Sequence, residues 1–353
     1  MLTREKNKIS YLHFIMSVLV ILIHSINNET RFEKFFSIDS GIGQFAVPLF
    51  FIISGFLFFR NLKYVNDAVA KLKRRVYTLL IPYLLWNLIY YAIHLLLKPG
   101  NGISMGEIID AAFTYKYNPS FWFMYQLILL SIISPILYYL FNMSWKNKQT
   151  VKWLVTIVVV VAAELAIATG IDIPYLNEDA FVYYVCGYFL AYLYNSGRIN
   201  FISKKNILIC LLIFVFTFVF NRYIYHLLTL NPKYLNPFIS TIVIVRLFGA
   251  VFLFYFFDMI FSYDSVPKFM SQTFFLYAIH YMIVKAMIIM MKFLMYKFVP
   301  VGIIVNGIDL YTIIECIVFI LSPVVCVIIN YHLSRFMMEK FSKQYNVLVG
   351  NRR

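Results

Sequence analysis

ISYLHFIMSVLVILIHSI, running from Ile9 to Ile26, is a helix-length apolar stretch that nevertheless keeps two histidines. At 100° per residue, eleven positions bring a helix back to within about 20° of its starting direction. His13 and His24 therefore share one face, roughly 16 Å apart along the axis. Ser17 and Asn28 fall within about 60° of the same line, so a polar stripe runs up a hydrocarbon-compatible segment. Lipid cannot satisfy such groups, and the stripe is expected to face a bundle interior or a water-filled cavity. Taken alone, His24 also reads as an interfacial residue at a helix tip; the paired stripe favours the cavity.

The rest of the chain says where this helix lives. Hydrophobic residues make up 62% of the 353 positions and charged residues 13%, with a mean hydropathy of +0.77. Soluble domains run nearer roughly 45–50% apolar and about 25% charged. The expected fold class is an all-α polytopic membrane protein. A net charge of +15 would suit nucleic acid, but the basic residues are segregated along the chain in the manner of bilayer orientation. No nucleic-acid partner is expected. The opening MLTREKNK resembles the start of a secretory signal, yet the apolar run after it is long and has no small-residue cleavage site, so it reads as an uncleaved first helix. Cys186, Cys210, Cys316 and Cys326 sit in apolar segments without metal-ligand spacing, which points to neither disulfides nor zinc.

About twenty residues cross a bilayer core, and by that measure roughly ten segments can span. They lie near 9–26, 44–60, 76–97, 121–141, 151–169, 179–194, 206–225, 238–260, 272–295 and 311–333. The connections leave no room for a fused soluble domain, so residues 1–353 read as a single integral-membrane domain. If the N-terminus is cytoplasmic, 21 of the 31 Lys and Arg residues fall on inside pieces. That asymmetry follows the positive-inside rule everywhere except the weak loop at Lys268, and it places both termini in the cytoplasm. Arg246 falls inside a span and needs a partner or water; Glu164 and Glu315 are the acidic candidates.

Several motifs carry possible chemistry. In QFAVPLFFIISGFLFFR, Pro48 and Gly55 loosen the second segment, and Ser54 beside Gly55 leaves a small polar spot where helices or a ligand approach closely. Ordinary helix packing is the simpler account of it. The run AVAKLKRRVYTLLIPYLLW places Lys71, Lys73, Arg74 and Arg75 at the inner end of the third segment. Such a cluster anchors orientation, and guanidinium forks equally match phosphate oxygens of a cytoplasmic donor. Trp122, within FWF, fits an interfacial aromatic belt. In SQTFFLYAIHYMIVK, Tyr277 and His280 are neighbours on one helix face, with His280 expected about 12 Å in from the cytoplasmic side. Lys285 lies deeper still and is not expected to face lipid.

Taken in order, YLHFIMSVLVILIHS, VPLFFIISGFLFF, KLKRRVYTLLIPYLLW, FWFMYQLILLSIISPILY, VYYVCGYFLAYL and FFLYAIHYMIV resemble the integral-membrane acyltransferase-3 family, which includes O-acetyltransferases of bacterial surface polysaccharides. The resemblance implies transfer of an acyl group, commonly acetyl from acetyl-coenzyme A, to a hydroxyl of an envelope carbohydrate. It implies no tightly bound cofactor, with acyl-CoA as donor substrate. By that comparison His24 matches the family's catalytic first-helix histidine, and Arg75 matches one of the basic pair preceding the third-helix proline. The chain departs from the pattern at His13, where the family usually has arginine, and at Thr78, with charge displaced to Lys71, Lys73 and Arg74. The implied donor-binding residues are Arg75, Arg74 and Lys71. His13 joins His24 as a catalytic candidate, and Ser54, Trp122, Arg246, Tyr277 and His280 are cavity or supporting candidates.

The residues suit that chemistry. A sugar hydroxyl attacking a thioester needs a base near neutrality, which histidine provides, and donors for the developing oxyanion, for which Arg75, His13 and Arg246 are candidates. A transporter or exporter would also use polar groups and proline-broken helices, although no inverted repeat is evident. A non-catalytic partner in polysaccharide assembly is the third reading, and the missing arginine favours it.

Overall fold

The computed structural model describes residues 2–26, 41–97, 104–142, 161, 163–164, 167, 169, 175–298, 304–305 and 308–351. In chain order come α1 (Thr3–Ser25), a 3₁₀ turn (Ile42–Phe45) leading into α2 (Ala46–Phe59), α3 (Val65–Arg75), a π turn (Val76–Leu80) and α4 (Ile81–Leu97). After them come α5 (Met105–Phe113), α6 (Trp122–Asn142), α7 (Glu178–Asn195), α8 (Asn206–Leu230) and α9 (Leu235–Ile260). The chain continues with α10 (Thr273–Phe298), a two-residue β pair (Ile304–Val305 with Ile308–Asp309), α11 (Leu310–Lys340) and α12 (Ser342–Leu348).

Among the described residues, 8 helical stretches are long and apolar enough to cross a membrane. The protein is an all-α polytopic membrane protein, and eight of the expected segments coincide with these stretches. The sixth is α7, a helix that opens on Glu178 and Asp179 and is rich in tyrosine, hence less apolar than the others. Most of the fifth, 151–169, and Asn28 of the polar stripe lie outside the described residues. Leu208, Leu212, Phe216 and Val219 of α8 are exposed, as side chains that meet lipid must be.

Contacts group the chain into two compact units. The first comprises Met1–Val47, Ile81–Ser120 and Tyr263–Arg353. Here α1 packs on α10 and α11, and α4 packs on α5 and α12. Apolar side chains of α1 supply the contact: Leu12, Met16 and Ile21 are fully buried. Below α10 the chain climbs beside α1 as an irregular strip. Asn7 Nδ2 donates to the Tyr263 carbonyl at 2.8 Å, Tyr11 Oη donates to the Ser265 carbonyl at 3.2 Å, and Phe14 meets Phe269 edge to face. Helix α10 thus begins beside the middle of α1. Its first turns are tied down by Tyr90 Oη donating to the Ala278 carbonyl at 2.9 Å and Tyr277 Oη donating to the Ser120 carbonyl.

The second unit comprises Pro48–Leu80 and Phe121–Ser262. The π turn directly precedes Pro82, which has no N–H and whose ring crowds the carbonyl four residues back, at Thr78. A wider turn absorbs that conflict without ending the helix. Helices α2 and α7 cross backbone to backbone at Gly55 and Gly187. A Cβ on Gly55 would stand 2.2 Å from the Tyr184 carbonyl oxygen, and one on Gly187 would stand 2.3 Å from that of Ile52. Both are contacts with main chain, which cannot swing away. Gly55→Ala and Gly187→Ala should each cost about 1–3 kcal/mol through overpacking, read as a lowered unfolding temperature of the purified protein. An unchanged unfolding temperature in both variants would show that the helices can separate without loss.

Candidate active site

The polar stripe of α1 resolves into two kinds of group. Ser17 Oγ donates to the His13 carbonyl at 2.8 Å and Ser25 Oγ donates to that of Ile21 at 2.7 Å, so both hydroxyl protons are satisfied inside the helix. The imidazoles remain. His24, in the last turn of α1, lies with its ring centroid 5.3 Å from that of His280 and 5.6 Å from that of Tyr281. The sequence separates these histidines in depth, with His24 near the outer surface and His280 about 12 Å in from the cytoplasmic side. The structure corrects this. The irregular strip at 263–270 rises along α1 before α10 starts, which lifts His280 to the level of His24.

His280 is buried, with 1% of its surface exposed. Its Nδ1 lies 2.6 Å from the Tyr277 carbonyl oxygen. A carbonyl oxygen only accepts, so Nδ1 carries the proton and the neutral ring presents a lone pair at Nε2. That Nε2 is buried and makes no hydrogen bond among the described residues. A buried polar atom left so costs about 1–3 kcal/mol, a penalty that accepting a proton from a hydroxyl would remove. Tyr277, whose ring centroid lies 5.6 Å from that of His280, is itself fixed by the Ser120 carbonyl. One turn beyond His24's contact with Tyr281, Lys285 is exposed and holds its ammonium 5.4 Å from the centre of the Tyr281 ring. His24, His280, Tyr277 and Tyr281 thus form one cluster on two helices. His13 lies three turns below His24 on α1, half-buried.

The donor candidates belong to the second unit. Lys71 directs its ammonium at the carbonyls of Leu57, Phe58 and Arg60, at 3.3, 2.6 and 2.6 Å. All three of its protons are thereby committed to the carboxyl end of α2, where a positive charge also complements the helix dipole. Arg74 is exposed, and Arg75 is half-buried within electrostatic reach of the Tyr184 hydroxyl. Ser134 Oγ donates to the Leu130 carbonyl at 2.6 Å, so the 2.8 Å contact between Ser134 and Tyr184 has the tyrosine as donor. Ser54 lies next to the Gly55–Gly187 crossing, and Trp122 packs its ring 6.1 Å from that of Phe51.

Arg246 has its acidic partner on α7, where Asp179 Oδ2 lies 3.9 Å from Nη1. Glu164, one of the two partners expected, instead accepts a hydrogen bond from Ser240 Oγ at 2.9 Å. Asp179 is hard to single out from sequence because the first turn of α7 reads as a loop boundary. An acidic residue at the start of one segment, with an arginine near the start of another that runs the same way, is the signal that points to it. Tyr281 has no signal of its own beyond adjoining His280.

The committed ammonium yields a test. Lys71→Met should destabilise the protein by on the order of 1.5–3 kcal/mol, the range for hydrogen bonds to a charged group. Exposed Arg74→Gln should stay within about 0.5 kcal/mol of wild type in the same thermal unfolding measurement. Equal unfolding temperatures for the two variants would remove Lys71 from the helix end.

Comparison with known proteins supplies the frame for this geometry. No curated protein and no solved structure matches the chain. The family described as acyltransferase domain, acyltransferase-3, matches residues 7–331, a range that takes in α1 with both histidines, the basic end of α3 and His280. With nearly its whole length so matched, the chain belongs to the acyltransferase-3 family of membrane acyltransferases.

Proposed function

We propose that this acyltransferase moves an acyl group, acetyl first among them, from acyl-CoA to a hydroxyl of an envelope carbohydrate. The observation that carries the proposal is the contact between the rings of His24 and His280, the latter with a buried Nε2 that makes no hydrogen bond among the described residues. In this reading the protein lies in the bacterial plasma membrane with both termini inside. The basic end of α3 then meets a cytoplasmic donor, with Arg75 and Arg74 holding its phosphates, and no tightly bound cofactor takes part.

The reaction balances with these groups. The acceptor oxygen attacks the thioester carbonyl as His24 removes its proton. The tetrahedral intermediate collapses with rupture of the carbon–sulfur bond, and the proton held on His24 returns to the leaving coenzyme thiolate. His280, its Nδ1 proton fixed on the Tyr277 carbonyl, orients either the His24 ring or the acceptor hydroxyl through Nε2. Tyr277 and Ser120 hold the turn from which His280 projects.

Two measurements test this. His24→Gln keeps a hydrogen-bonding side chain that cannot take a proton at neutral pH, and should lower acyl transfer by roughly 10²–10⁴-fold with folding intact. Near-normal transfer by His24→Gln would move the base to His280. Separately, neutralising both Arg74 and Arg75 should weaken acyl-CoA binding, by on the order of 1.5–3 kcal/mol for each charge-assisted hydrogen bond removed. Unchanged donor affinity in the folded double variant would reduce the cluster to an anchor at the membrane surface.

A further inference from the structure

α5 (Met105–Phe113) is a helix of 9 residues that closes at both ends on its own chain. Ser104 Oγ accepts from the Glu107 N–H at 3.1 Å, and the Thr114 N–H donates to the Asp110 carbonyl at 2.8 Å. At about 1.5 Å per residue it measures roughly 14 Å, against a hydrocarbon core of about 30 Å. Its bonds to α4 show which way it runs. Tyr91 Oη donates to Glu107 Oε2 at 3.4 Å, Asn87 Nδ2 donates to the Ala112 carbonyl at 3.2 Å, and Tyr83 Oη donates to that of Phe113 at 3.0 Å. As α5 advances, its partners step back along α4, so the helix turns in from the Leu97 end and retreats beside its neighbour. Asn87 has a short side chain, which places Ala112 about 15 Å from Leu97 along a helix long enough to span. α5 enters the membrane without crossing it.

Around its axis the helix divides into three sectors. Ala111 and Ala112 are buried on the side bonded to α4. Met105, Ile109 and Phe113 fall within about 80° of arc and are 72%, 54% and 59% exposed. Glu107 and Asp110 form the third sector, centred roughly 130° away from the apolar one. Glu107 is exposed, and Asp110 meets Lys116 Nζ at 3.2 Å with the two side chains 45% and 57% exposed. One solvent cannot serve both exposed sectors. A charged side chain held in hydrocarbon costs about 2.5–3.5 kcal/mol. Large apolar side chains left in water forgo about 1.5–3 kcal/mol each. The adjoining end of α4 is apolar and exposed too, at Leu96 and Leu97.

The segment that follows carries the same division. Non-helical backbone at membrane depth persists only within protein or against water. From Thr114 to Ser120 the chain is irregular, and its Lys116 is exposed, with the ammonium 5.8 Å from the centre of the Tyr117 ring. Tyr117 in turn packs 4.7 Å from His94 and 5.2 Å from Tyr91, ring centre to ring centre. Tyr91 is the residue that bonds Glu107, so Lys116 and both carboxylates lie on one side of α5. The segment ends at Ser120, whose carbonyl holds Tyr277. We propose that α5 is a partition within the membrane: lipid acyl chains cover Met105, Ile109 and Phe113, and a water-filled recess reaches Glu107, Asp110 and Lys116 at the same depth.

The full-length protein in lipid nanodiscs, which leave both membrane faces open to reagents, tests the partition in two ways. With p-benzoylphenylalanine in place of Ile109 or Phe113, illumination should yield phospholipid adducts on the α5 peptide, with the new bond on an acyl chain. With the same photoprobe in place of Asp110, lipid adduct should fall about tenfold, the difference between a helix face sunk in acyl chains and one turned to water. Conversely, Asp110→Cys and Lys116→Cys should react with a charged maleimide about tenfold faster than Ile109→Cys, because the reactive thiolate forms in water and not in hydrocarbon. Wild type, with Cys186, Cys210, Cys316 and Cys326, sets the background, and Lys116→Cys reports the water side by itself if Asp110→Cys is destabilised. The partition is overturned if the probes at positions 109 and 113 join protein, or give no more lipid adduct than the probe at 110. It is equally overturned if their adducts lie on glycerol or headgroup, or if Asp110→Cys and Lys116→Cys react no faster than Ile109→Cys.

Discussion

The hydrogen bond from His280 Nδ1 to the Tyr277 carbonyl decides what the histidine cluster can do. It consumes the one proton a neutral imidazole carries and so determines which nitrogen is left to accept. Everything around it serves to hold that donor and acceptor in register. Tyr277 is anchored on Ser120, Ala278 is anchored by Tyr90, and the strip below α10 is laced to α1 through main-chain carbonyls. Main-chain acceptors thus set the level of α10 against α1, together with the ring contact of Phe14 with Phe269 and the ion pair of Arg4 with Asp264.

The second unit solves a different problem with the same restriction. Helices surrounded by lipid gain no hydrophobic advantage from meeting one another, so close packing and hydrogen bonds must suffice. At Gly55 and Gly187 two backbones meet with no room for a methyl group. Around that crossing, Phe59 lies edge to face with Tyr184 and Tyr188, and Phe141 packs on Tyr188. The tyrosine hydroxyls are then taken up by Ser134 and Asn142.

The helical architecture was legible because its cause is local: the hydrocarbon core demands a length of apolar chain, and that length shows in one segment at a time. Gly55 was legible as a packing residue because a small residue inside an apolar helix lets another backbone come close. α7 was the hardest to read, since an acidic first turn and many tyrosines dilute its apolar signal. The histidine cluster was half legible. Spacing put His13 and His24 on one face, but nothing in the spacing could bring His24 to His280, because that depends on an irregular strip bonded through main chain. Nor could charge counting tell Lys71, which caps a helix, from Arg74, which is exposed, since both enter the count as one positive charge.

Lys71 has one more consequence. With the 3₁₀ turn that leads into it, α2 forms a continuous helical stretch of 18 residues, Ile42–Phe59, about as long as a hydrocarbon core of about 30 Å is thick. A helix that ends in lipid must ordinarily bring its last carbonyls up to water, by thinning the bilayer or by tilting its neighbours. Here those carbonyls end on an ammonium supplied by the next helix. The carboxyl end of α2 therefore has its carbonyls satisfied within the protein and makes no demand on the surrounding lipid or water there.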